Sequence, residues 1–141
     1  MKRTKILVTG AAGLLGSNFC KHFLRKNFIV YGLDRKYLNI KNKNFFFYKK
    51  SIKKFFSETK QKFDYIFHTA AISKNNFSYT FPNETLNENI SNLLEIVKYL
   101  KKNNKSNLFF FSTKQIETDF KNFNILHPYA LSKKTGEDIL K

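Results

Sequence analysis

Residues 5 to 17, KILVTGAAGLLGS, constrain the fold of this chain more than any other stretch. KILVT is a continuous run of apolar and β-branched residues, the pattern of a strand buried on both faces, and it stops at Gly10. Gly10, Gly13 and Gly16 then fall three apart, and Leu14, Leu15, Phe19 and Phe23 recur at helical spacing, so a helix over Gly13–Lys26 is expected to bury those four side chains. A strand that becomes a helix through three glycines calls for backbone packed too closely for a Cβ. It also leaves the first N–H groups of the helix, and the positive end of its dipole, turned toward whatever lies beyond the strand. A phosphate is the natural occupant of such a terminus.

The rest of the chain repeats the alternation. FIVYGL (28–33) reads as a second strand closed by Asp34, Phe45–Tyr48 as a third, Ile52–Lys60 as a short helix, and Asp64–His68 as a fourth strand. Leu86, Ile90, Leu93, Leu94, Val97 and Leu100, at spacings of three and four, mark a long amphipathic helix that ends near Asn103 and Asn104. NLFFFS (107–112) is a fifth strand, and a last helix starts at Pro128, a residue suited to the first turn. Apolar strands alternating with helices imply a parallel sheet covered on both faces, and right-handed crossovers lead to a doubly wound, Rossmann-type α/β fold with strand order 3-2-1-4-5. Ligands in such sheets sit beyond the carboxyl ends of the strands. Gly10, Asp34, Thr69, Thr113 and Tyr129 all fall at or after those ends.

A length of 141 residues with 42% apolar and 17% aromatic content suits one domain with one sizeable core. No run of about eighteen apolar residues is present, and the N-terminus turns into glycines rather than into the apolar region of a signal peptide, so a cytoplasmic protein that does not enter the membrane is expected. The single cysteine, Cys20, shares its helix with Leu15, Phe19, Phe23 and Leu24 and reads as a buried thiol without chemistry; no metal is expected. The formal charge of +16 would suit a nucleic-acid partner, but 23 of the 26 basic residues are Lys, with Arg only at positions 3, 25 and 35. Readers of bases and phosphates lean on the arginine fork. The lysines are scattered over KNKN, KK, KKNNK and SKK, and the joint enrichment of Lys, Asn, Phe, Ile and Tyr is what an AT-rich coding sequence produces, so no nucleic-acid partner is expected.

An acid at the end of the strand after a glycine-rich turn completes a dinucleotide pattern. Asp34 can accept from the adenosine ribose hydroxyls and would repel a 2′-phosphate, which favours NAD over NADP, while the adjacent Arg35 is the group that a 2′-phosphate would meet. At the other end of the chain, HPYALSKK puts Tyr129 and Lys133 four apart on one helix face, with Thr113 sixteen residues before the tyrosine.

Together VTGAAGLLGS (8–17), VYGLDR (30–35), DYIFHTAA (64–71), the Ser112-Thr113 pair and the Tyr129-to-Lys133 spacing resemble the extended short-chain dehydrogenase/reductases, in the NAD-dependent epimerase/dehydratase branch acting on nucleotide sugars. The resemblance implies that Tyr129 is the catalytic base, that Lys133 binds the nicotinamide ribose and lowers the tyrosine pKa, and that Thr113 hydrogen-bonds the reacting hydroxyl. It implies contacts with NAD from Gly10, Ala12, Gly13, Leu14, Leu15, Gly16, Asp34, Arg35, Ile52, Thr69, Ala70, Ala71 and Lys133. The implied activity is that of an epimerase, dehydratase or 4-keto reductase on a nucleotide-sugar substrate, with the full-length form a homodimer. The chain departs from the family at Ser51, where an acid is usual, in TLNENISNLLE (85–95), which lacks the Gly-Thr pair of the asparagine-bearing helix, and at Glu117-Thr118. Members run to roughly twice this length, so residues 1–141 read as the N-terminal, cofactor-binding portion of a longer enzyme whose substrate lobe is absent. Two other readings stand beside it: a dinucleotide-binding module that does not turn over, and a basic nucleic-acid-binding protein.

Overall fold

The computed structural model describes residues 3–117 and 127–141. Thr118 lies outside them. The chain divides into two compact units, Met1–Ala70 with Glu95–Phe110, and Ala71–Leu94 with Phe111–Lys141.

The first unit carries a parallel five-stranded sheet in the order β3-β2-β1-β4-β5, as the sequence pattern predicts. Its strands are β1 (Lys5–Thr9), β2 (Ile29–Asp34), β3 (Phe45–Lys49), β4 (Tyr65–His68) and β5 (Asn107–Phe110). Val8 pairs with Gly32 on one side and with Phe67 on the other, so β1 is the central strand between two parallel neighbours. Alternation along the strands sends side chains to two cores. Leu7, Tyr31, Leu33 and Ile66 pack on one face with Ile52 and Phe55 of α2 (Ile52–Glu58) and Ile96 and Tyr99 of α4 (Pro82–Lys102). Ile6, Val8 and Val30 pack on the other with Cys20 and Leu24 of α1 (Leu14–Arg25). Rings fill much of both layers, with Tyr31 edge-on to Phe63 at 5.2 Å and Phe23 against Phe67 at 4.7 Å.

Two expectations need correction. Leu14 and Leu15 are not buried: they are 82% and 54% exposed, because the first turn of α1 starts at the carboxyl end of β1, where strand no longer lies beneath it. Gly16, Cys20 and Leu24 form the buried stripe instead, with Phe19 and Phe23 packed beside it. The second difference is α3 (Asn75–Thr80), a short helix of NNFSYT that no apolar period announces. It precedes Pro82, which opens α4 earlier than the leucine spacing suggested. The second unit is completed by α5 (Pro128–Ile139).

Of the strands, β5 is an edge, and its residues alternate between half-buried and exposed rather than lying covered on both faces. Phe109 is 46% exposed and stacks on Phe67 at 4.5 Å, with Tyr65, 38% exposed, beside it. An apolar face next to an open strand edge is a template for association. The chain is therefore expected to self-associate at micromolar concentration, and Phe109→Lys to shift it toward monomer. Sedimentation velocity on the two proteins checks this, and equal distributions would remove β5 as the contact.

Candidate active site

At the end of β1 the backbone turns at Gly10 with φ of +69°, a conformation that strains any side chain. A Cβ on Gly10 would also lie 2.7 Å from the Ala70 Cα and N, and one on Gly16 would lie 2.1 Å from the Gly10 carbonyl oxygen. These two glycines are demanded by the protein itself. Gly13 is different: a Cβ there meets only the Gly10 oxygen at 3.2 Å, and the residue is exposed. Gly13 is the N-cap of α1, so the cap brings no side chain to accept from the first-turn N–H groups. An uncapped helix start with an open glycine at its mouth fits a pyrophosphate.

Asp34 is held in place by that same turn. Its Oδ2 accepts from the Ala12 N–H and its Oδ1 from the Lys36 N–H, both at 2.9 Å, and the Ala11 N–H donates to the Leu33 carbonyl at 3.2 Å. Two carboxylate oxygens offer about four lone-pair directions, so acceptor capacity remains for ribose hydroxyls. Arg35, next in sequence, is exposed. Ile52 opens α2 with its side chain in the core, and Ser51 caps that helix by accepting from the Lys54 N–H at 3.3 Å. The serine that stands where an acid was expected thus has a structural use.

Thr69 and Ala70 follow β4 and lie against the turn of β1. The Thr69 N–H and hydroxyl both donate to the Thr9 carbonyl, at 3.2 and 2.7 Å. Sequence reasoning missed the pair beneath them, Thr9 and His68, both fully buried, with Oγ1 and Nδ1 2.7 Å apart. The available signal was a polar residue closing each of two apolar runs, KILVT and YIFH.

In the second unit α5 brings Tyr129 and Lys133 together as their spacing predicts: the Lys133 Nζ lies 5.8 Å from the centroid of the Tyr129 ring. Lys133 is only 4% exposed, and burial brings its pKa down to about 8. Burial also pushes the Tyr129 phenol above its ordinary value, so the phenol keeps its proton at neutral pH. The expected depression of the tyrosine is not met in this state. Thr113 follows β5; its Oγ1 accepts from the Gln115 N–H at 3.4 Å, which leaves its own proton available to donate. Ala71 is half buried at the start of the loop that Asn89 fastens, with Asn89 Oδ1 accepting from the Ile72 N–H at 2.8 Å and Nδ2 donating to the Ile72 carbonyl at 3.2 Å. The same Nδ2 donates to Ser132 Oγ at 3.0 Å, and Ser132 Oγ donates to the Tyr129 carbonyl at 2.7 Å. Asn89 in the departing segment 85–95 therefore still ties its helix to α5.

Two measurements follow. Gly16→Ala should cost about 2–3 kcal/mol, since backbone must move, whereas Gly13→Ala should leave the melting temperature nearly unchanged and weaken dinucleotide binding by about tenfold, or ~1.4 kcal/mol. Equal destabilisation by both would make Gly13 a packing glycine. For Lys133, the folded-state pKa lies below the unfolded value, so the unfolded chain binds more protons between pH 8 and 10.5 and stability rises with pH across that window. The gain is on the order of 2–3 kcal/mol, curtailed above pH 10 as the unfolded tyrosine ionises while the folded one does not. Lys133→Met should abolish that rise, as read from denaturant unfolding at pH 7.5 and 9.5.

No curated protein matches the chain. Among solved structures, UDP-glucose 4-epimerase of Thermotoga maritima with UDP-glucose superposes with a TM-score of 0.77 at 26% identity, covering 97% of this chain and 50% of that one. The Bordetella bronchiseptica enzyme WbmF in complex with NAD+ and UDP gives 0.82 at 27%, covering 97% and 44%. The UDP-N-acetylglucosamine 4-epimerase of Methanobrevibacter ruminantium M1 in complex with UDP-N-acetylmuramic acid gives 0.81 at 25%, covering 99% and 50%. The chain thus spans about half the length of these structures. Among the described residues no helix is long and apolar enough to cross a membrane, and no cluster of His, Cys, Asp and Glu could hold a metal. The model of the NAD dependent epimerase/dehydratase family matches residues 6–141, nearly the whole chain, and to that family this protein belongs.

Proposed function

We propose that this protein serves an NAD-dependent epimerase, dehydratase or 4-keto reductase acting on a nucleotide sugar. The observation that carries the reading is the buried Lys133 ammonium beside the Tyr129 ring on one turn of α5, since burying a cation without chemical use is costly. The substrate class is supported by the neighbours that hold UDP-glucose, UDP or UDP-N-acetylmuramic acid.

Gly13 and the first turn of α1, with Leu14 and Leu15, take the pyrophosphate; Asp34 takes the adenosine ribose; Gly10, Ala12, Gly16, Arg35, Ile52, Thr69, Ala70 and Ala71 shape the remaining contacts. Bound there, NAD would supply reversible hydride chemistry at a carbinol carbon of the substrate. Tyr129 exchanges the hydroxyl proton of that carbon, as base in one direction and acid in the other. A phenol that holds its proton at rest needs positive charge to release it. Lys133, with a pKa of about 8, remains mostly ammonium at pH 7 and supplies part of it. Thr113 donates to the same substrate oxygen.

Titration with NAD and NADP should show NAD at least about tenfold tighter, a difference of ~1.4 kcal/mol, with a preference for NADP reversing the role of Asp34. In the enzyme that turns over, Tyr129→Phe should cut hydride transfer by about 10²–10⁴ while NAD affinity stays nearly the same; Lys133→Met should damage both. Unchanged turnover in the Phe variant would end this mechanism. Tight NAD binding with no nucleotide sugar processed would leave a dinucleotide-binding module.

A further inference from the structure

Among the described residues, helix α5 is fastened within its own unit at its start by His127, at Ser132 by Asn89, and near its end by the Ser112 hydroxyl, which donates to Glu137. Only the first acts on the tyrosine's own N–H. Pro128 occupies the first helical position and has no N–H, so Tyr129 carries the first donor that the helix must satisfy. The His127 Nδ1 accepts it at 3.1 Å, while the His127 carbonyl accepts from the Leu131 N–H at 2.9 Å.

Ser, Thr, Asp and Asn are the usual caps, each with a short, flexible side chain. An imidazole is larger and reaches the N–H only if its ring plane is fixed. Here the ring is buried, 5% exposed, and Tyr79 of α3 stands edge-on to it with centroids 4.2 Å apart. The Tyr129 ring itself also stands near it, at 6.5 Å and nearly perpendicular. Acceptance at Nδ1 assigns the neutral tautomer that carries its proton on Nε2.

We propose that His127 is a positioning residue for the Tyr129 and Lys133 pair, an inference that rests on the function proposed above. The ring, braced by Tyr79, fixes where the first turn of α5 begins and therefore where the phenol projects. A reacting group displaced by about 1 Å loses on the order of 10²-fold in rate.

The test compares His127→Ala with His127→Asn, whose amide oxygen is a good cap. Amide hydrogen exchange is followed at Tyr129, with Leu7 and Val8 of β1 as controls. Loss of a cap should speed exchange at Tyr129 by about fivefold in the Ala variant, with the Asn variant close to the parent and β1 unchanged in both. In the enzyme that turns over, kcat should fall about tenfold or more in the Ala variant, with little change in KM for NAD, and recover in the Asn variant. Should the Ala variant fail to fold, the Asn variant decides alone: parental exchange at Tyr129 supports the proposal, and faster exchange overturns it. Unchanged exchange or unchanged kcat in a folded Ala variant also overturns it. If Tyr129→Phe proves as active as the parent, the functional reading falls, while the exchange experiment still reports whether His127 caps the helix.

Discussion

The contact between Gly16 and the Gly10 carbonyl is the constraint on which the first unit depends. With a Cβ excluded at 2.1 Å, α1 can leave β1 within a few residues and lie back along the sheet, placing Cys20 and Leu24 over Ile6, Val8 and Val30. The left-handed backbone at Gly10 lets the chain pass directly beneath Ala70 at the end of β4. A larger residue at either position would push helix and strands apart, and both the core beneath and the helix terminus above would lose their places. The start of α1 is thus placed by close packing, while a Cβ on its N-cap Gly13 would meet only the Gly10 carbonyl oxygen, at 3.2 Å.

Polar groups at the carboxyl ends of the strands are ordered before any ligand arrives. Asp34 is engaged by the Ala12 and Lys36 N–H groups, Thr69 by the Thr9 carbonyl, and Thr9 by His68. A carboxylate fixed by two backbone donors spends little further entropy on meeting a hydroxyl pair, which is how a preorganised site gains affinity. The buried Cys20, whose thiol burial pushes up to about 12, belongs to the core and has no part in this chemistry.

In the second unit the competing forces are burial and charge. Desolvation lowers Lys133 and raises Tyr129, so both groups are moved toward their neutral forms. A desolvated phenol gives up its proton more readily when a cation offsets the desolvation. Asn89, which donates to Ser132, and His127, which accepts from the Tyr129 N–H, fasten the helix that carries both groups.

The sequence by itself determined the parallel sheet and its order, the strand-glycine-helix turn, the acid at the end of β2 and the placing of Tyr129 and Lys133 on one helix face. All but the strand order follow from local period or fixed spacing, which the backbone geometry of strands and helices imposes wherever they form; the order follows from the right-handed crossovers of a doubly wound sheet. It misjudged Leu14 and Leu15, since amphipathic spacing cannot say how far along a helix the sheet extends. It passed over α3, whose six residues are too short to show a period, and over the Thr9–His68 and Asn89–Ser132 contacts, whose partners stand 59 and 43 residues apart. Only the tertiary structure decided those, along with which glycines are demanded by packing and which is not, and the direction in which burial moves the tyrosine and the lysine. Desolvation and long-range hydrogen bonding depend on what surrounds a group in space, and neighbours along the chain do not record that.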